Sequence, residues 1–333
     1  MKVAIIGAGL IGNKRAMAIG KSPGCRLAAV CDVNPERAGK LAQMYGADTY
    51  QNWEEMGQRD DIETVVIATV NKFLAPIAVF FLERGKHVLC EKPLGRNARE
   101  AGLMVEAARK SGVKLKTGFN HRHHPGIARA RQLVDEGRIG EISFLRCRYG
   151  HGGRPGYDRE WRADKNLCGG GELLDQGVHV VDLFRWFAGD FHEVFGYLPT
   201  LFWNMQVEDN AFALFKTKTG QIASLHTSWT QWKNIFSFEV FGRDGYVIVE
   251  GLGGSYGPER LKAGRRRSEG GAPEEETIDF PAEDISWEEE WKELVQAIRE
   301  NREPLGSGQD GYEANRMLEA VYDSARLGRP VEL

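Results

Sequence analysis

Short apolar runs alternate with longer amphipathic stretches through the first 120 residues. Lys2 to Ile6 has strand length and hydrophobicity, and helical periodicity follows it through Ala18. Leu27 to Cys31 reads as a second strand, ending against Asp32. Pro35 to Tyr45 reads as a helix with proline in its first turn. Thr64 to Thr69 is a buried strand, and Pro76 to Arg84 a helix stopped by Gly85. His87 to Cys90 is a strand, Ala98 to Lys110 a helix closed by Gly112, and Val113 to Phe119 a further strand. Strands alternating with helices predict a parallel, doubly wound sheet of the Rossmann type over residues 1–120.

The rhythm then changes. Gly126 to Glu136 predicts a helix, Ile142 to Tyr149 an alternating strand, and Gly150 to Asn166 a long loop rich in glycine and charge. Gly171 to Ala188 predicts an amphipathic helix. Phe212–Lys216, Ile222–Thr230, Phe236–Gly242 and Tyr246–Glu250 predict consecutive antiparallel strands. Gly251 to Asp284 carries Arg265–Arg267 and Glu274–Glu276 and predicts a long, mobile hairpin. Ser286–Asn301 and Gly311–Leu327 are expected helices. Residues 121–333 are expected to form a second α/β domain with a mostly antiparallel sheet.

Composition narrows the class. Apolar residues make up 42% and charged residues 27%, an ordinary mixture for a globular chain. The net charge of −3 implies no bulk attraction to nucleic acid or to an anionic membrane. Val3 to Ile11 is too short to span a bilayer and has no basic leader. Five cysteines without a C-x-x-C pair suit the reducing cytoplasm.

The chemistry concentrates in three places. Gly7, Gly9 and Gly12, with Leu10 and Ile11 between them, form G-x-G-x-x-G between a strand and a helix. That turn offers helix N-terminal amides to a pyrophosphate. Asp32, at the end of the next strand, would bind ribose hydroxyls and repel a 2′-phosphate, so NAD is expected over NADP. Glu91-Lys92-Pro93 follows a strand, and Lys92 can polarise a substrate oxygen. Asp175 and His179 lie at i, i+4 after Gly169–Gly171, with His179 as a general base and Asp175 as an orienting carboxylate. Between His121 and Lys165 there are ten Lys or Arg and six Asp or Glu, a local excess of 10 − 6 = +4. Arg148, Arg154 and Arg162 are expected anion contacts, and Trp161 a ring that could stack on a sugar. His121, His123 and His124 have no acidic or cysteine partner spaced for a metal, so none is expected.

The stretches GAGLIG, GKHVLCEKP, GGGELLDQGVHVVDLFRW and SARLGRPVEL resemble the glucose-fructose oxidoreductase, inositol dehydrogenase and rhizopine-catabolism (Gfo/Idh/MocA) family. The resemblance runs along the whole chain. It implies a Rossmann domain followed by an α/β domain with a large open-faced sheet that carries dimer or tetramer contacts. It implies NAD-dependent hydride transfer to or from a cyclic polyol, sugar or sugar derivative. It assigns catalysis to Lys92, Asp175 and His179, and the nicotinamide pocket to Glu91 and Pro93. Thr69 and Asn71 are expected beside the cofactor, and Asn120 and Arg122 beside the substrate. One departure stands out: Val70 replaces the proline common in the family's A-T-P-N. The same residues would serve an NAD-dependent glycosidase that oxidises its sugar transiently, and a non-enzymatic regulator shares the architecture.

Overall fold

The computed structural model describes all residues from Met1 to Leu333. The first half runs β1 (Lys2–Ile6), α1 (Leu10–Gly20), β2 (Arg26–Cys31), α2 (Pro35–Tyr45), β3 (Asp48–Tyr50), α3 (Trp53–Met56), β4 (Thr64–Ile67), α4 (Asn71–Glu83), β5 (His87–Cys90), α5 (Ala98–Ser111) and β6 (Leu115–Thr117). The second runs α6 (Pro125–Asp135), β7 (Ile142–Gly150), α7 (Lys165–Cys168), α8 (Val178–Ala188), β8 (Glu193–Tyr197), β9 (Asn210–Lys216), β10 (Ile222–Ser228), β11 (Ile235–Gly242), β12 (Gly245–Glu250), β13 (Arg260–Arg265), β14 (Glu274–Asp279), α9 (Ser286–Arg299), α10 (Gly308–Leu327) and β15 (Val331–Glu332).

Two compact units result: Met1–Asn120 with Trp287–Asn315, and His121–Ser286 with Arg316–Leu333. Residues 287–315 thus return to the first unit, where 121–333 had been expected to stay together. The reason is an apolar helix face. Trp291, Leu294 and Val295 of α9 are buried in one cluster with Val3, Ile5, Ala16 and Ile19. An indole buried to 1% exposure is worth about 3–5 kcal/mol by truncation, enough to fix that docking.

The first unit holds a parallel sheet in the order β3-β2-β1-β4-β5-β6. Its strand order reverses at β1, and in such sheets ligands bind beyond the carboxyl ends near that point. β3 and α3 are short, and periodicity gave no hint of them. α4 starts at Asn71, five residues before Pro76. Pro76 therefore lies inside the helix and leaves only the carbonyl of exposed Lys72 without its helical amide.

The second unit holds a nine-stranded sheet in the order β14-β13-β12-β11-β7-β10-β9-β8-β15. β7 lies between β10 and β11 and runs parallel to β10, so the expected run of consecutive antiparallel strands is interrupted there. β13 and β14 form the expected hairpin, paired in register and extending the sheet, with Arg265 opposite Glu274. Phe184 and Phe187 of α8 pack on Phe215 and Phe238, so α8 covers one face of the sheet. α8 is buried around most of its girth. On the other face Phe144, Phe212, Leu214 and Ile222 are exposed.

Candidate active site

Four segments of the first unit collect at the carboxyl ends of its strands. They are Gly7–Gly12 after β1, Asp32 after β2, Thr69–Asn71 after β4, and Glu91–Pro93 after β5. The three glycines have distinct jobs. A Cβ on Gly7 would lie 2.2 Å from the Ala68 carbonyl oxygen, and one on Gly12 would lie 1.9 Å from that of Gly7. Those two allow β1, β4 and α1 to close together. A Cβ on Gly9 would meet nothing within 4 Å, so the loop is open where a pyrophosphate would approach. Leu10 and Ile11 begin α1, whose first turn has no side-chain cap, which leaves its amides to a ligand. Asp32 Oδ2 accepts from the Ala8 amide at 2.7 Å, and Oδ1 from the Asn34 amide at 2.8 Å. These residues fit a dinucleotide.

Asn71 is buried at the first position of α4. Val70 has φ −61° and ψ 139°, the conformation a proline would impose, so its loss leaves this turn's shape intact. Lys92 is half-buried, and the Lys92–Pro93 peptide is cis. The neighbouring Glu91 is engaged from below. Arg15, 1% exposed, donates Nε to Glu91 Oε1 at 2.7 Å and also pairs with Glu290 of α9. Sequence reading missed Arg15, because an arginine inside an N-terminal helix carries no sign that it will be buried.

In the second unit, Asp175 lies in a π-helical turn, Leu173–Gly177, which leads directly into α8 and His179. Such turns inside helices cluster at functional sites. His179 is buried, and its ring stacks on His121 with centroids 3.8 Å apart. His121 belongs to a 3₁₀ turn, Asn120–His123. Arg162 Nε stands 3.5 Å from Asp175 Oδ2, and its guanidinium lies 4.6 Å from the Trp161 ring centre. Burial is the largest influence on Arg162 and alone would lower its pKa, but Asp175, Tyr157 and Glu160 together outweigh it and raise the group above its ordinary value. Tyr149 sits beside His121, with ring centres 5.2 Å apart, and beside Tyr256, whose hydroxyl accepts from Gln176 at 3.0 Å. Burial, with Tyr256 and Glu172 nearby, pushes the Tyr149 phenol well above its ordinary value, so it remains a proton donor.

Several expected substrate contacts are placed otherwise. Arg122 is buried in a two-pronged pair with Asp182, at 2.8 and 2.6 Å. Arg148 points to the open face of the sheet, because Leu145, Cys147 and Tyr149 occupy the covered face of β7 and strand side chains alternate. Arg154 pairs with Glu160, and Trp161 packs against the cluster of Tyr157, Cys168, Val207 and Trp229. Arg131 with Asp135, and Arg146 with Glu239, are paired as well. The local basic excess is therefore largely spent on ion pairs within the unit. His124 contacts Glu259 at 3.3 Å, a partner 135 residues away that spacing could not reveal. Asn120 is buried at the end of the first unit.

Comparison with known proteins shows the family and the fold. Residues 1–119 match the family model described as oxidoreductase family, NAD-binding Rossmann fold. Residues 127–248 match the GFO/IDH/MocA C-terminal domain. The chain is 29% identical to an inositol 2-dehydrogenase of Rubrobacter xylanophilus over 338 residues, covering 98% of this chain and 92% of that one. It is 27% identical to a levoglucosan dehydrogenase of Pseudarthrobacter phenanthrenivorans over 286 residues, covering 74% and 73%. Among solved structures, levoglucosan dehydrogenase in complex with NADH and levoglucosan superposes with a TM-score of 0.91 at 25% identity, covering 100% of this chain and 99% of that one. An oxidoreductase domain protein from Kribbella flavida superposes at 0.90 and 28% identity, covering 99% and 98%.

Proposed function

This chain belongs to the GFO/IDH/MocA family of NAD-binding oxidoreductases, and on that premise we propose that it oxidises a secondary hydroxyl of a cyclic polyol, sugar or sugar derivative. One observation carries the reading: Asp175 and His179 are presented together by the π-to-α segment, with His179 held ring to ring on His121. When bound, nicotinamide supplies the hydride acceptor. The chain's residues handle the proton and the oxygen. His179 takes the hydroxyl proton, Lys92 stabilises charge on the same oxygen, and Asp175, steadied by Arg162, orients the substrate. Gly7, Gly9 and Gly12 with the first turn of α1 hold the pyrophosphate, and Asp32 holds the ribose.

NAD is preferred over NADP on the strength of Asp32. Val33 follows it, and no arginine lies within the Ala8–Asn34 contacts it makes. A neutral polyol or sugar suits the second unit better than an anionic one, since most arginines between His121 and Lys165 are already matched to carboxylates. Self-association through the exposed face that carries Phe144, Phe212 and Leu214 fits its apolar character. No disulfide joins the five cysteines, which suits work in the cytoplasm.

The test is a panel of polyols, aldoses, anhydrosugars and nucleotide sugars, scored by NADH formation. Lys92→Met and His179→Ala should each lower kcat by roughly 10²-fold or more, with NADH binding largely kept. The double variant should lose far less than the product, as for groups acting as a unit. Near-normal turnover in Lys92→Met would overturn the reading. Cleavage of a glycoside without net NADH would reassign it to transient oxidation.

A further inference from the structure

Just before Asp175, three backbone amides donate to one buried residue, two to its side chain and one to its carbonyl. Glu208 Oε1 accepts from the Gly171 amide at 3.0 Å, from the Leu173 amide at 3.1 Å and from the Tyr322 hydroxyl at 2.6 Å. The Glu208 carbonyl accepts from the Glu172 amide at 2.9 Å. Three successive amides, 171 to 173, therefore end on one residue. These belong to the start of the π-to-α segment, where helical amides lack partners within the helix. A carboxylate there also complements the positive end of the helix.

The packing leaves no slack. A Cβ on Gly170 would lie 2.2 Å from the Tyr322 hydroxyl oxygen, and one on Gly171 would lie 2.0 Å from the Glu208 carbonyl oxygen. The glycines before the helix are thus required by the close approach of Glu208 and Tyr322. Asp209, the next residue, works in the opposite direction along the chain. It accepts from the amides of Leu201, Phe202 and Trp203 at 2.8, 2.8 and 2.9 Å. Trp203 in turn lies against Tyr157, in the cluster that also packs Trp161. Two adjacent acids at the head of β9 therefore tie down both the Asp175–His179 segment and the aromatic loop beside Trp161.

We infer that Glu208, held by Tyr322 of α10, is a positioning residue that sets the register of the π turn carrying Asp175 and of His179 beyond it. This rests on the proposed role of those two residues. Glu208 lies 33 residues beyond Asp175 in sequence, reaches its segment through the amides of Gly171, Glu172 and Leu173, and has no part in moving the proton. Its loss should leave cofactor binding alone and act on the geometry of the reacting groups, where a displacement of about 1 Å can cost on the order of 10²-fold in rate.

The experiment uses Tyr322→Phe, which removes one hydroxyl, with Glu208→Gln and Glu208→Ala. Three quantities are read in the full-length protein: kcat and KM with the best sugar of the panel, NADH affinity by fluorescence, and the ring resonances of His179 by NMR of histidine-labelled protein. Tyr322→Phe and Glu208→Ala should lower kcat by roughly tenfold or more, with KM and NADH affinity within about twofold, and should move the His179 resonances. Glu208→Gln, which keeps an acceptor oxygen, should recover part of the loss. Unchanged His179 resonances in Tyr322→Phe and Glu208→Ala would overturn the inference, as would wild-type kcat in both. A wild-type chain inactive on every sugar would sink the proposed reaction, and the His179 resonances would still decide the positioning role.

Discussion

The His121 ring lies against the His179 ring, with centroids 3.8 Å apart and planes 22° from parallel. His121 is itself wedged by His124, Tyr149 and Phe236, with ring centres 5.5, 5.2 and 5.8 Å away. The proposed general base thus leans on a ring that cannot easily turn. His121→Ala should release it and lower kcat roughly tenfold or more, with NADH affinity kept. His121→Phe, which restores a flat face, should retain most of the activity. Steady-state kinetics of the two variants decide this, and wild-type kcat in His121→Ala would remove the stack from the mechanism.

Arg148 and Tyr149 are neighbours in sequence with opposite fates. Arg148 lies on the open face of the sheet, and Tyr149 is buried beside His121 and Tyr256. Arg148→Ala should leave kcat and KM within about twofold of wild type. Tyr149→Phe should raise KM or lower kcat, because it removes a phenol that burial keeps protonated. Parallel kinetic measurements on the pair would show the reverse order if the strand's facing were otherwise.

Arg15 stands between two carboxylates, Glu91 and Glu290, with exposures of 1%, 9% and 0% for the three side chains. Removing Arg15 leaves two acids buried together, with Lys116 4.0 Å from Glu290 as a remaining cation. Arg15→Met should therefore cost about 3–5 kcal/mol of stability, as when one partner of a buried pair is deleted. Urea unfolding measures it directly. A loss under about 1 kcal/mol would mean that the acids find water or protons at little cost.

His87 gives a pH dependence. Burial, and then the Lys114 charge, lower its pKa below the ordinary 6.5, and its Nδ1 accepts from the Lys114 amide at 3.0 Å. Well above pH 6.5 the ring is neutral in both folded and unfolded chains, and its contribution is intact. As pH falls through that value the unfolded chain binds the proton first, so stability is lost. Thermal unfolding of wild type should drop between pH 7 and 5 more steeply than that of His87→Gln. Parallel curves for the two proteins would assign the acid sensitivity elsewhere.

The first unit was legible because each of its signals is local. A strand, three glycines and an acid at the next strand end identify the loop at Gly7 and the partner Asp32 without any distant contact. Lys92 could be proposed for the same reason, as one of three residues beside a strand end. Arg122 was misread because its partner, Asp182, lies 60 residues away. Arg148 was misread because a count of basic residues ignores the alternation of a strand. Glu208 and Tyr322 left no trace, since a clamp made of one acid, one phenol and three backbone amides has no spacing of its own. The π turn at Leu173–Gly177 was invisible because an i, i+4 pair looks the same whether or not the helix is widened beneath it.

Asp32 offers the sharpest test of cofactor choice, because its two oxygens do different work. Oδ2 accepts from the Ala8 amide and so helps shape the glycine loop. The negative charge is what would bind ribose hydroxyls and repel a 2′-phosphate. Asp32→Asn keeps an oxygen for the Ala8 amide and loses the charge, whereas Asp32→Ala loses both. A hydrogen bond to a charged group is worth about 1.5–3 kcal/mol, so each variant should weaken NADH binding by roughly tenfold or more. Asp32→Asn should at the same time narrow the gap between NADH and NADPH, since repulsion is relieved while the loop stays in shape. Asp32→Ala should weaken both cofactors. Fluorescence titrations with the two reduced cofactors on all three proteins separate these outcomes. Wild-type protein that binds NADPH at least as tightly as NADH would end the assignment of Asp32 as the discriminating residue.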